Sequence, residues 1–289
     1  MITGFFLGTV FDLNISKALT GFSSDGKLSI SVGLVPKIME VIGYWSSPLF
    51  CSVALAIVEI DMRKKLKEKI RMAFFIATVL IEAGLMFYAS SKTIKPIVGK
   101  LYIGHYILIT FMAIVLTFIL RFFIEHLNKK KLESIFKPAL FSVIAVVVIV
   151  VCFEVIKLTC GRIRFRDLIA AGSLDAYTPW YRPNWFSGSK SFPSGHMGNA
   201  TALMTLPLWF EKKLPKNKIT AMYAVILIWN FLLAFSRICA GAHYLTDVIF
   251  GFMLGSILVN IVYHYYRKTE KHVDKAPAEA HSGEKPEIS

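Results

Sequence analysis

The feature that most constrains the fold is a series of seven apolar segments separated by short basic ones. An apolar run of about 20 residues can cross the hydrocarbon core of a membrane as a helix, which satisfies its own backbone hydrogen bonds there. With 55% hydrophobic residues and a mean hydropathy of +0.57, the sequence predicts an all-α, polytopic transmembrane helix bundle. The predicted spans, of which the first and fifth are short, cover residues 48–60, 72–89, 101–124, 138–156, 197–210, 219–235 and 246–266.

The spans define a three-part organisation. Residues 1–45 show apolar positions at helical spacing among polar ones, which is typical of helices that lie on the membrane interface. Residues 46–268 contain the seven spans and form the predicted transmembrane domain. Residues 269–289 are rich in Glu, Lys and Pro, a composition that predicts a disordered tail.

The net charge of +14 would suggest nucleic acid as a partner if the protein were soluble. Here the Lys and Arg residues cluster between the apolar segments, on one side of the predicted zigzag, so we predict no nucleic-acid partner. By the positive-inside rule that side is cytoplasmic. The sequence therefore predicts a multi-pass protein of the cell membrane with a cytoplasmic C-terminus. The loop 157–195 and the stretch 237–244 then lie on the extracytoplasmic face.

The stretch 236–247, SRICAGAHYLTD, places ionisable residues between two apolar segments. Such residues at the edge of a bilayer are costly unless they are paired or functional. His243 and Asp247 are four residues apart and share one face of a helix, so the carboxylate can fix the imidazole tautomer. This pairing is how a nucleophilic or basic histidine is prepared.

Two further clusters lie on the same predicted face. KLTCGRIRFRD contains Lys157, Arg162, Arg164 and Arg166, which are either snorkelling anchors or an anion-binding group. Basic anchors belong mainly on the cytoplasmic side, which favours anion binding. In SFPSGH, residues 191–196, Pro and Gly shape a turn before a helix, and the backbone N–H groups of a helix N-terminus attract an anion.

Together the clusters supply cations, backbone donors and two histidines to one phosphoryl group. The sequence shows no metal-ligand spacing or carboxylate cluster, so we predict no metal and no cofactor. The pattern favours phosphoryl transfer by positioning and charge stabilisation. One histidine would attack phosphorus, held by Asp247, and the other would protonate the leaving oxygen.

These motifs resemble the type 2 phosphatidic acid phosphatase (PAP2) superfamily, which also contains the vanadium haloperoxidases. The first family motif, Lys, six residues, Arg-Pro, is matched by Lys157 and Arg164, with Phe165 in place of the proline. The second, PSGH, is complete at 193–196. The third, Ser-Arg, five residues, His, three residues, Asp, is complete at Ser236, Arg237, His243 and Asp247.

The resemblance implies a metal-independent phosphatase on a six-helix core, to which seven spans would add an N-terminal element. It implies a phosphohistidine intermediate on His243, oriented by Asp247. His196 would be the general acid and would later activate the hydrolytic water. The phosphate-binding residues it implies are Lys157, Arg164, Ser194, the Gly195 backbone N–H and Arg237.

A site at the mouth of a membrane bundle suits a lipid phosphate, whose headgroup arrives at that depth. The loop 177–185, YTPWYRPNW, contains Arg182 and Trp185, which are either interfacial anchors or headgroup contacts. An extracytoplasmic site favours undecaprenyl pyrophosphate or phosphatidylglycerol phosphate over cytosolic esters. The sequence does not separate these two from a substrate of the phosphatidate type.

Three other functions remain open at this stage. A lipid phosphotransferase would use the same phosphohistidine and pass the phosphoryl group to an alcohol instead of water. A transporter for an anion or a lipid would carry its polar residues through the bilayer midplane, whereas here they gather at one face. A vanadium haloperoxidase would share the anion site but is usually soluble.

Overall fold

The structure is a computed structural model that describes residues 2–24, 28–185 and 187–281. In these ranges the chain is helical apart from loops and one isolated β-bridge between Ser23 and Ser29. The α-helices are α1 (Ile2–Leu19), α2 (Leu34–Arg63), α3 (Glu68–Val98), α4 (Ile103–Glu125), α5 (Lys129–Cys160), α6 (Phe165–Ala170), α7 (Gly195–Ala202), α8 (Lys216–Cys239) and α9 (Leu245–His281). A 3-10 helix, Leu203–Trp209, follows α7.

Six helical segments among the described residues are long and apolar enough to cross a membrane. They coincide with all or most of α2, α3, α4, α5, α8 and α9, so the predicted all-α polytopic transmembrane bundle is confirmed. The predicted fifth span, 197–210, is instead the short α7 followed by the 3-10 helix. Pro207 lies inside that 3-10 helix, where a proline cannot donate a backbone hydrogen bond. The segment is packed inside the bundle, where Thr205 and the Trp209 indole both donate to the Ser142 hydroxyl.

Helix α2 begins at Leu34, fourteen residues before the predicted start of the first span. It continues through Pro48, and the proposed domain boundary at residue 45 therefore falls inside a helix. The buried face around that boundary is formed by small residues, Gly43, Ser47 and Ser52 among them. Small residues allow close helix packing in membranes but lower the hydropathy by which spans are recognised.

Helix α1 and the first turns of α2 both lie in the segment predicted to be interfacial, and α1 covers 18 of its residues. It packs against α8 and α9 near the N-terminal end of α9. At the other end of the chain, α9 extends past the predicted boundary at residue 268 and reaches His281. The remaining residues of the predicted tail, 282–289, lie outside the described residues.

A buried ionic cluster joins α2, α3 and α4. The Arg121 guanidinium contacts Glu82 at 2.8 Å and Glu59 at 3.0 Å, and all three side chains are at most 4% exposed. Arg121 also donates to the Thr78 hydroxyl at 2.8 Å. Ionisable groups inside a membrane pair with one another because an isolated charge there is costly. Glu82 of α3 is thus paired with Arg121 of α4 across the interface between the two helices.

The basic segments lie together at one end of the bundle. Arg63 pairs with Glu125 at 2.8 Å, and Lys137 and Lys212 both pair with Glu270. The first contact joins the ends of α2 and α4, and the other two join the start of α5 and the segment after the 3-10 helix to the C-terminal half of α9. The C-terminal end of α5, the start of α7 and the turn between α8 and α9 lie at the opposite end, where the three motifs meet.

Candidate active site

Helix α5 carries Lys157 in its last turn and ends at the site. Gly161 follows in the left-handed conformation, with φ of +53°, and a Cβ there would lie 1.8 Å from the Asn184 carbonyl oxygen. Only glycine fits such a position without a shift of the backbone. The chain therefore turns sharply after α5, and Arg162 and Arg164 enter the site from the following segment.

Helix α7 begins beside the Lys157 ammonium group. A Cβ at Gly195 would lie 2.7 Å from the Lys157 Nζ, so glycine leaves room for the ammonium at the helix N-terminus. The Ser194 backbone N–H donates to the Asp247 carbonyl oxygen at 3.0 Å, which fixes this turn against α9. A helix N-terminus next to a cation is a favourable place for an anion.

The turn between α8 and α9 brings the third motif together. The Arg237 carbonyl oxygen accepts from the N–H groups of Ala242 and His243, at 3.1 and 3.3 Å. Asp247 lies in the first turn of α9. These two helix ends therefore hold Arg237, His243 and Asp247 within one compact turn.

The His243 ring is buried and its tautomer is fixed by a backbone carbonyl. Nδ1 lies 2.7 Å from the Ser191 carbonyl oxygen, and since a carbonyl only accepts, Nδ1 carries the proton and Nε2 keeps its lone pair. The Asp247 Oδ2 atom is 3.7 Å from Nδ1. The expectation that Asp247 fixes the tautomer by a direct bond is therefore corrected, because Ser191 makes that bond.

Asp247 acts on His243 through Ser191. Its Oδ2 accepts from the Ser191 hydroxyl at 2.6 Å and from the Tyr244 N–H at 2.9 Å. Its Oδ1 accepts from Arg162 at 2.6 Å, and the side chain has no exposed surface. The carboxylate thus orients the residue that orients the imidazole and adds a negative charge behind the ring.

The second histidine faces the first across the site. The ring centroids of His196 and His243 are 6.3 Å apart, and the Tyr44 ring packs on His196 at 4.7 Å. The His196 Nε2 atom is buried and has no hydrogen-bond partner in the part of the chain that the structure describes. This separation allows one phosphorus atom between the rings, with the attacking and leaving atoms on opposite sides.

Several other buried polar atoms around this space are unpaired among the described residues. They are Arg164 Nε, Arg237 Nε and Nη1, and Ser194 Oγ. Buried donors without partners are costly, so their convergence indicates a site that is completed by a ligand. Guanidinium, hydroxyl and imidazole groups together suit a phosphate, whose oxygens accept several hydrogen bonds.

A cavity of about 420 Å³ contains most of the predicted site residues. Lys157, Arg164, Gly195, His196, Arg237 and His243 line it. Ser194 and Asp247 are buried behind the lining. Arg182 and Trp185 lie exposed on their loop and do not line the cavity, so a headgroup contact by either stays a prediction.

Helix α2 brings an acidic and an aromatic residue to the site that the sequence motifs do not predict. Glu40 Oε1 accepts from Arg237 Nη2 at 3.0 Å and from the Tyr44 hydroxyl at 3.1 Å. Neither residue belongs to a motif, so the sequence carries no signal for them. Near the end of α5, Glu154 accepts a hydrogen bond from the Lys157 ammonium group at 2.6 Å.

Both histidines are poor bases. Burial lowers the pKa of His243 to about 4, against the opposing effect of Asp247 and with a further lowering by Arg237 and Arg164. Burial also lowers the pKa of His196 well below its ordinary value, and the same cations add to the effect. At neutral pH the His243 imidazole is therefore uncharged, with a free lone pair on Nε2.

Comparison with known proteins relates the second half of the chain to one family. Residues 137–271, which run from α5 into α9, match the model of the PAP2 superfamily. The resemblance inferred from the three motifs is confirmed.

Two curated relatives are phosphatidylglycerophosphatases B. The protein from Bacillus subtilis (strain 168) is 30% identical over 122 residues, which are 41% of this chain and 60% of that protein. The protein from Haemophilus influenzae is 29% identical over 100 residues, 33% of this chain and 42% of that protein. The match thus spans less than two thirds of either relative. No solved structure matches the chain significantly.

Proposed function

We propose that the protein is an integral-membrane lipid phosphate phosphatase that removes a terminal phosphate through a phosphohistidine on His243. The observation that carries the proposal is the ring of unpaired buried donors around two facing imidazoles. Such preorganised donors stabilise charge on a transferring phosphoryl group without reorganisation during the reaction.

In the first step the His243 Nε2 lone pair attacks phosphorus, and the bond from phosphorus to the lipid oxygen breaks. His196 donates a proton to that oxygen, which leaves as an alcohol or as a lipid phosphate. Lys157, Arg164 and Arg237 bind the remaining phosphate oxygens, together with the start of α7. The product is a phosphoimidazolium with its Nδ1 proton still bound to the Ser191 carbonyl.

In the second step a water molecule attacks the phosphoryl group from the face that the lipid has left. His196, now neutral, accepts a proton from this water. The bond from phosphorus to Nε2 breaks, and its electron pair returns to the imidazole of His243. Inorganic phosphate leaves, and the protonated His196 restores the acid for the next cycle.

His196 becomes a useful acid only when substrate is bound. The nearby cations Lys157, Arg164 and Arg237 disfavour a positive charge on His196, which is one reason for its lowered pKa. A bound phosphate dianion offsets these cations and raises the proton affinity of the ring. His196 therefore becomes protonated when the substrate binds, which is when the first step needs a general acid.

A lipid substrate is supported by the way the cavity changes along its length. Beyond the cations its lining becomes apolar, with Leu85 of α3 and Val146, Val150 and Phe153 of α5. Such a cleft between two membrane-spanning helices accepts a hydrocarbon chain while its charged end binds the headgroup. A soluble phosphate ester would leave this apolar part without a role.

The cavity holds more cations than one phosphoryl group requires. Lys92, Arg166 and Lys190 line it in addition to the three cations of the motifs. Glu40 lies 3.7 Å from Arg166, and Glu154 lies 3.1 Å from Lys190. These two carboxylates offset only part of the charge of the six lining cations. This surplus favours a lipid with a second anionic group, such as undecaprenyl pyrophosphate or phosphatidylglycerol phosphate, over phosphatidate. The curated relatives are named for the phosphatidylglycerol phosphate reaction.

The membrane orientation is part of the proposal. The basic segments gather at the end of the bundle opposite the candidate site, and the positive-inside rule assigns such an end to the cytoplasm. The site would then face the extracytoplasmic side of the cell membrane. An impermeant thiol reagent should label a Ser173→Cys variant in intact cells, and labelling only after permeabilisation would reverse the orientation.

The proposed function predicts phosphate release from lipid phosphates in the presence of EDTA. The purified protein, in detergent or nanodiscs, is given undecaprenyl pyrophosphate, phosphatidylglycerol phosphate, phosphatidate and sphingosine phosphate. We expect the lowest KM for the first two, and a Lys92→Met variant should lose that preference while phosphatidate turnover changes little. Turnover that requires a divalent metal, or no release from any lipid, would contradict the proposal. Phosphate transfer only to an added lipid alcohol would instead indicate a phosphotransferase.

A further inference from the structure

Arg162 belongs to the basic cluster of the first motif but does not line the cavity. Its guanidinium donates to five acceptors: the Thr178 carbonyl, the Thr246 hydroxyl, Asp247 Oδ1, Asp12 Oδ2 and the Tyr177 hydroxyl. The side chain is 2% exposed. All three guanidinium nitrogens are thus used inside the protein, and Arg162 has no donor to offer a phosphate.

Asp12, a residue of α1 that lies outside the three motifs, pairs with Arg162. Its Oδ2 lies 3.0 Å from the Arg162 Nη2, and its Oδ1 accepts from the Thr246 backbone N–H at 3.0 Å. The Thr246 hydroxyl also donates to Asp12. The Thr246 N–H is one of the first amides of α9, which have no partner within their own helix. Asp12 therefore caps the helix that carries Asp247.

The contact between α1 and α9 is close and specific. A Cβ at Gly8 would lie 2.9 Å from the Thr246 Cγ2, so glycine lets the two helices approach. On the same helix the Thr9 hydroxyl accepts from the Trp180 indole at 3.1 Å. Helix α1 lies outside the matched residues 137–271 and still reaches the charged group behind the site.

Arg162 holds His243 by two routes. Its side chain binds the Asp247 carboxylate, which accepts from the Ser191 hydroxyl. Its backbone carbonyl accepts from the Ser191 N–H at 2.9 Å. Ser191 in turn accepts the Nδ1 proton of His243. A displacement of Arg162 therefore moves both the charge and the carbonyl that fix the nucleophile.

We propose that Asp12 and Arg162 are positioning residues that hold Asp247 and Ser191 in place behind the nucleophile His243. This inference rests on the proposed function, because it assigns these residues to the same phosphohistidine. Two carboxylates share one guanidinium, so the buried group has a net negative charge when Asp12 is ionised. That charge favours the phosphoimidazolium, which is cationic, over the neutral imidazole. Asp12 thus contributes through charge as well as through position.

Removal of the Asp12 charge should alter the pH dependence of the reaction. Burial raises the pKa of Asp12, against the opposing effects of Arg162 and Thr246, so its charge is lost at a higher pH than that of an ordinary aspartate. Asp12→Asn lacks this titration and leaves His243 in a less negative environment. Both changes move the acid limb of kcat/KM to lower pH. The other groups that face His243 are Asp247, Arg237, Arg164 and His196.

The experiment compares Asp12→Asn, Asp12→Glu and Arg162→Lys with wild type and with Thr9→Val, a control on the same helix away from the carboxylate. By analogy with residues that support catalytic ligands, Asp12→Asn should lower kcat ~10–100-fold with little change in KM. Its acid limb should move to lower pH. Asp12→Glu should restore the wild-type pH profile, and Arg162→Lys should lower kcat while the limb stays. Thr9→Val should keep the kcat and profile of wild type.

The variants distinguish a failure of this inference from a failure of the proposed function. Wild-type kcat and pH profile in Asp12→Asn would overturn the inference while the proposed function stands. An equal kcat loss in Thr9→Val, with the limb unmoved in both, would reduce α1 to a structural element and also overturn it. If Asp12→Asn does not fold, Arg162→Lys replaces it as the test, and a wild-type kcat in Arg162→Lys would overturn the inference. Absence of phosphate release by wild type would instead overturn the proposed function.

Discussion

His243→Ala should release phosphate from lipid phosphates roughly 10⁴-fold more slowly than wild type, or not at all, because it lacks the nucleophile. Loss of a group that forms the covalent intermediate removes the whole two-step pathway. The cations and the start of α7 remain, so the variant should still bind inorganic phosphate, the product of the reaction. Initial rates and phosphate affinity, measured on the same preparation, separate the loss of chemistry from the loss of the site.

His264→Ala is the matched control for this prediction. His264 lies on α9 as an exposed residue, well along the helix from the first turn that carries Asp247. The substitution removes one imidazole from the same helix and should leave turnover unchanged. Turnover by His243→Ala within tenfold of the control would contradict the assignment of the nucleophile.

His196→Ala should slow turnover of lipid phosphates by ~10²–10⁴-fold, the usual contribution of a general acid or base. The reason is that the alkoxide of a lipid alcohol is a poor leaving group without a proton. A substrate with a good leaving group, p-nitrophenyl phosphate, does not need that proton in the first step. With p-nitrophenyl phosphate, the His196→Ala variant should still transfer the phosphoryl group to His243. The hydrolysis of that intermediate, which needs His196 as a base, should be slow.

The His196→Ala variant should therefore accumulate a phosphoenzyme with p-nitrophenyl phosphate but not with phosphatidate. The measurement is a burst of nitrophenol close to one equivalent per site, followed by a slow steady state. Tyr44→Phe is the control, because it keeps the ring that packs on His196 and removes only the hydroxyl bonded to Glu40. An equal loss of rate with both substrates, without a burst, would remove His196 from the acid and base role.

Helices with long apolar runs were predictable from the sequence. Helices whose position depends on packing against other helices were less so. The long runs of α3, α4 and α5 exceed the bilayer thickness, so their existence follows from hydropathy alone. The start of α2 was missed because the charged residues Lys37 and Glu40, and then the small residues Gly43 and Ser47, lower the hydropathy of its first turns. The segment after His196 is apolar but is packed inside the bundle, which a hydropathy profile does not distinguish from a span.

The site residues that belong to local sequence motifs were predictable, and those that only the fold brings to the site were not. Lys157, His196 and His243 stand in patterns whose spacing the helix ends preserve, and the structure brings them around one cavity. The bond from Asp12 to Arg162 joins residues 150 positions apart, and that from Glu40 to Arg237 joins residues 197 apart. Helical periodicity predicts which face a residue occupies but not which distant residue meets it.

The most direct test of the central claim is the isolation of a phosphohistidine at His243. Lipid phosphate labelled at the terminal phosphate is mixed with excess enzyme, quenched in alkali within milliseconds and digested for peptide mapping. The account predicts an acid-labile, alkali-stable label on the peptide that contains His243, present in wild type and His264→Ala and absent from His243→Ala. Single-turnover phosphate release without any labelled protein, or a label on another residue, would contradict it.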